Sequence, residues 1–135
     1  MLRFIIGVFI VLHGLVHLLY FGQSRRLFEL QAGMVWPDGS WAFSKLLGEG
    51  ATRWLAGIAC ILAALGFVVG GIAILAGQSW WQPVVVGTAA FSAATFVLFW
   101  DGGLQRLADK GAIATLINLG ILLAVLILRW TDFGF

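Results

Sequence analysis

Residues 2–22 read LRFIIGVFIVLHGLVHLLYFG, and this stretch decides the fold class. It carries one charge, Arg3, at its edge, and it holds no acid and no proline. At a helical rise of 1.5 Å per residue it reaches about 31 Å, against a bilayer hydrocarbon core of about 30 Å. Its apolar residues run on without the alternation that a barrel strand needs, so the reading is a membrane-spanning helix. Arg3 ahead of an apolar run resembles a signal peptide. The run continues to Phe21 without a small-residue cleavage pattern, however, and we read it as a retained span.

The rest of the chain repeats the pattern. Of 135 residues, 61% are hydrophobic and only 10% charged, with a net charge of +2. Soluble domains carry roughly 25% charged residues. The small, dispersed charge gives no footprint for nucleic acid. Three further apolar segments are expected to span, at about 53–76, 83–100 and 111–130, divided by GQSWWQP and WDGG. The expected architecture is an all-α integral membrane four-helix bundle, a single domain over residues 1–135, with one long loop at 23–51. Within that loop QSRRLFELQ is expected to extend the first helix. WPDGS is expected to turn, and Ser40 to cap a short interfacial helix in WAFSKLL.

Trp54, Trp80, Trp81, Trp100 and Trp130 fall at span ends, and Trp36 and Trp41 in the first loop, as in an aromatic belt. Arg25, Arg26, Lys45, Arg53, Arg106 and Lys110 lie on the side of the first and third loops, against Arg3 and Arg129 on the other. The positive-inside rule then puts loops 23–51 and 101–110 in the cytoplasm and both termini outside.

The polar residues inside the spans are few and fall at similar depth. His13 and His17 are four apart on one helix face, continued by Tyr20. Cys60 on the second span, Ser92 and Thr95 on the third, and Thr115 and Asn118 on the fourth lie in the half nearer the first loop, with Thr88 just beyond it. Polar groups in hydrocarbon are costly and face the bundle interior. His13, His17, Tyr20, Cys60, Ser92, Thr95, Thr115 and Asn118 are therefore expected to line a polar intramembrane pocket on that side. Such a pocket suits a small amphiphile, a lipid or a quinone-like molecule.

Other readings of the same residues stand beside this one. Polar side chains can serve simply as interhelical hydrogen bonds. Histidines at i, i+4 can chelate one metal ion, with Cys60 as the nearest soft third ligand. They cannot grip one haem from both faces, so a haem would need Met34 or a second copy for its other ligand. Nucleophilic catalysis lacks a carboxylate at that depth. A binding or accessory component, partnered by membrane lipids, a second copy or a larger membrane complex, is favoured over an enzyme. The cofactor, if any, is unspecified.

Four spans in a chain this short, with GVFIVLHGLVHLLYFG at Gly7–Gly22, resemble the small DoxX-like membrane proteins of bacteria and archaea. The chain is also similar to small prokaryotic proteins with an LHGLxH first span and FWDG before the fourth. That resemblance implies a four-helix bundle, in some cases associated with quinone-linked redox systems.

Overall fold

The computed structural model describes every residue except Thr131 and Gly134. Helix α1 covers Leu2–Ser24, α2 Ser44–Leu75, α3 Trp81–Leu98 and α4 Ala112–Leu122. A π-helical stretch, Leu123–Ile127, prolongs α4, and a short 3₁₀ turn, Leu107–Lys110, precedes it. No strand occurs among the described residues.

On α1 the buried positions as far as Tyr20 are Gly7, Ile10, His13, Gly14, His17 and Tyr20, one stripe at helical spacing, and Gly22, Gln23 and Ser24 are buried at its end. The opposite side exposes Leu12, Leu15, Val16 and Leu19. A water-facing helix would be polar there. Helices α1, α2 and α3 are each long and apolar enough to cross a membrane. The fourth apolar segment, Ala112–Ile127, is shorter than expected and stops before 130. It ends where Arg129 takes a left-handed conformation (φ 53°) and the Trp130 N–H returns to the Ala124 carbonyl.

Helices α1 and α2 pack most closely, through glycine. A Cβ on Gly14 would stand 2.7 Å from the Phe67 Cβ and 3.1 Å from the Ala64 carbonyl oxygen. Further along, a Cβ on Gly71 would lie 2.9 Å from the Gly7 carbonyl oxygen. Each helix then contacts the next in sequence, and α1 meets α4 only sparsely.

The first loop differs from its expected form. Helix α1 stops at Ser24, because Arg26 turns left-handed (φ 56°) and the Leu27 N–H bonds back to the Gly22 carbonyl. QSRRLFELQ therefore does not prolong the helix. Helix α2 begins at Ser44, well before 53, and Gly48 kinks it with φ 78° and ψ 167°. The interfacial segment is thus one turn running into α2. Ser40 accepts the Ala42 and Phe43 N–H groups in the turn ahead of α2, while the N-cap of α2 itself is Phe43, without a side-chain bond. Pro83 sits within the first turn of α3, where an N–H would have had no helical partner.

Two tryptophans depart from the belt. Trp36 is 1% exposed, packed on Tyr20 and Phe96, and Trp81 is 4% exposed in the core against Phe133. Trp41, Trp54, Trp80 and Trp130 remain exposed.

Candidate functional site

Two apolar clusters fill the interior. One holds Ile10, Phe67, Ile74, Trp81, Val85 and Ile121 at the end away from the first loop. The other holds Tyr20, Met34, Trp36, Cys60, Phe96 and Phe99 beneath that loop. Between them lies a polar layer of four side chains, His13, His17, Ser92 and Asn118, none more than 4% exposed. Phe67 packs on both imidazoles, with centroids 4.8 and 5.4 Å away, and Phe96 covers His17 at 5.8 Å.

The hydrogen bonds of this layer fix their own direction. His17 Nδ1 lies 3.0 Å from the His13 carbonyl oxygen, which can only accept, so Nδ1 carries the proton. No carboxylate stands on α1, α3 or α4 to pair with an imidazolium, and an unpaired buried charge costs several kcal/mol, roughly. With the ring neutral, His17 Nε2 accepts from the Ser92 hydroxyl at 2.6 Å. Ser92 Oγ in turn accepts from Asn118 Nδ2 at 2.7 Å. Asn118 Oδ1 then accepts from His13 Nε2–H at 2.8 Å. The circuit closes through the backbone of α1 and ties α1, α3 and α4 together. His13 Nδ1 is left as an acceptor and makes no hydrogen bond among the described residues.

The remaining expected site residues do not join the circuit. Thr95 spends its hydroxyl on the Phe91 carbonyl of its own helix, as Thr88 does on Val84. Thr115 is half-buried on α4. Cys60 is fully buried in the cluster beneath the first loop and bonds neither histidine. Tyr20 stacks edge-on against Trp36 and Phe96, and its hydroxyl lies 3.4 Å from the Ala108 carbonyl oxygen. Three of the four imidazole nitrogens are committed to internal hydrogen bonds. No group of three His, Cys, Asp or Glu side chains among the described residues is arranged to hold a metal ion.

A cavity of about 740 Å³ lies elsewhere, in the half of the molecule away from the first loop. It is the gap left where α1 and α4 diverge. Leu2, Ile6 and Phe9 form one wall, Ile117, Gly120 and Ala124 the other, and Ile74, Trp81 and Val85 the floor. Arg129, Trp130 and Asp132 stand at its outer end. The volume falls within the roughly 300–1,000 Å³ of small-molecule sites. Sequence reasoning missed this groove, expecting the opening on the opposite side. The available signal was the small pair Gly120 and Ala124, four apart on α4 and its π-helical extension, which leaves that wall hollow: a Cβ on Gly120 would meet nothing within 4 Å.

The loop side is held shut by arginine, which sequence reading treated only as topological charge. Arg26 donates to the carbonyls of Gln23, Trp36 and Pro37, at 3.0, 2.8 and 2.8 Å. Arg106 donates to the Gly33 and Ala32 carbonyls and pairs with Asp109 at 2.7 Å. Comparison with protein-family models, with curated proteins and with solved structures gave no match in any of the three.

Proposed function

We propose that this chain is an integral membrane protein that binds a single-tailed amphiphile, lipid or quinone-like, in the groove between α1 and α4. It acts as a binding or accessory component and not as an enzyme. The observation that carries the reading is the groove itself: a gap of about 740 Å³ with an apolar lining and charged side chains only at its outer end. An apolar gap of this size between helices offers an alkyl or isoprenoid tail extensive dispersion contacts. The distribution of arginine and lysine supports a cytoplasmic first loop, with the groove in the outer half of a prokaryotic plasma membrane.

Native mass spectrometry after extraction in mild detergent tests this. Wild-type protein is expected to retain an apolar adduct, and Ala124→Trp, which fills the hollow wall, to lose it. A wild type that carries none, and takes up none when a long-chain amphiphile is added, contradicts the proposal. Stoichiometric copurification of another polypeptide in place of a small molecule would favour a complex subunit.

A further inference from the structure

The groove and the polar circuit meet at Phe9. This side chain forms part of the groove wall, and its ring lies parallel to the His13 ring at 6.2 Å with an interplanar angle of 6°. On the facing wall, Ile117 and Ile121 bracket Asn118, the residue His13 donates to. The inner end of the groove thus reaches the ring that stacks on His13. That ring is 44% exposed, and exposed side chains change rotamer in picoseconds to nanoseconds.

None of the layer's hydrogen bonds reaches His13 Nδ1. The circuit makes His13 Nε2 the donor, so Nδ1 of the neutral ring presents a lone pair and no hydrogen. A ligand group reaching it must bring its own proton.

We propose that the groove selects amphiphiles whose polar end is a hydroxyl, held tail outward, with the O–H donating to His13 Nδ1 past a displaced Phe9. A carbonyl or ether at the same place would set two lone pairs against each other. This rests on the groove being a binding site, and the test separates the two claims.

Protein labelled with ¹⁵N at histidine and tryptophan, in lipid nanodiscs, is titrated with dodecan-1-ol and with dodecyl methyl ether. The indole signals of Trp81 and Trp130 report groove occupancy, and the His13 Nδ1 signal reports the hydrogen bond. Both probes are expected to shift the tryptophans. Only the alcohol is expected to move His13 Nδ1 upfield, leaving His17 in place, and Phe9→Ala is expected to strengthen that response at equal alcohol concentration. Tryptophan shifts with a silent His13, or equal His13 shifts from both probes, overturn the hydroxyl preference and leave the groove standing. Silence of the tryptophans to both probes removes the groove and this inference with it.

Discussion

At Asn118 two hydrogen-bonding groups depend on one side chain. Replacing it with alanine strands the His13 Nε2–H and deprives Ser92 Oγ of its donor. A buried polar group left unsatisfied costs about 1–3 kcal/mol, against about 0.6 kcal/mol for an average interhelical hydrogen bond in a membrane. Asn118→Ala and Ser92→Ala are each expected to cost about 1–3 kcal/mol on this ground. Thr95→Val gives up only a bond to its own helix and is expected to stay within about 0.5 kcal/mol. Unfolding titrations in mixed micelles read these values, and a double-mutant cycle between positions 92 and 118 should show coupling. Equal costs at positions 95 and 118 would mean that the circuit has no special standing. Helical spacing had already placed His13, His17, Ser92 and Asn118 at one depth on inward faces. It could not separate them from Thr95, because a threonine hydroxyl reaches its own i−4 carbonyl as readily as a neighbouring helix.

The element that organises the packing is the α1–α2 pair. Gly14→Ala drives a Cβ against the Phe67 Cβ and the backbone of Ala64, neither a flexible side-chain end, so the helices must separate. Overpacking of this kind costs about 1–3 kcal/mol. At Gly87, a Cβ meets nothing within 4 Å, and Gly87→Ala in helix α3 is expected to stabilise by roughly 0.5–1 kcal/mol. The same micelle unfolding assay compares them. The turn before α4 carries a pH prediction. Burial alone would raise the Asp101 carboxyl, but hydrogen bonds from Lys110 Nζ and the Gly103 N–H outweigh it and hold the group below its usual range. A depressed folded-state value stabilises above the unfolded value, about pH 4, and that stabilisation fades as pH falls through the lower folded one. Amide exchange in residues 101–110 is expected to lose protection as pH drops below about 4, after correction for intrinsic rates, and Asp101→Asn to remove the dependence. The first loop was the least legible element. Its shape rests on Arg26 and Arg106 grasping backbone carbonyls, and carbonyls carry no sequence signal.

Across the whole molecule, hydropathy and helical period were enough to reveal an all-helical chain with three helices able to cross a membrane. They overstated the fourth, since an apolar run does not show where π-helical and left-handed turns cut it short. The groove was hidden for a related reason: it is a place where helices fail to meet, and patterns of burial report only where they do. Orientation is testable in a Cys60→Ala background by adding single cysteines at Gln31 and Gln78. An impermeant maleimide applied to intact cells should label position 78 and spare position 31, and the reverse would invert the topology. The most direct test of the central claim is photo-crosslinking in the membrane with a long-chain alcohol that carries a diazirine in its tail, followed by peptide mapping. Adducts should concentrate on Leu2, Ile6, Phe9, Ile117, Ala124 and Trp130, and Ala124→Trp should abolish them. Adducts spread evenly over the outer faces of α1 and α2, at Leu12, Leu15 and Leu62, and unchanged by Ala124→Trp, would show that the groove holds no ligand.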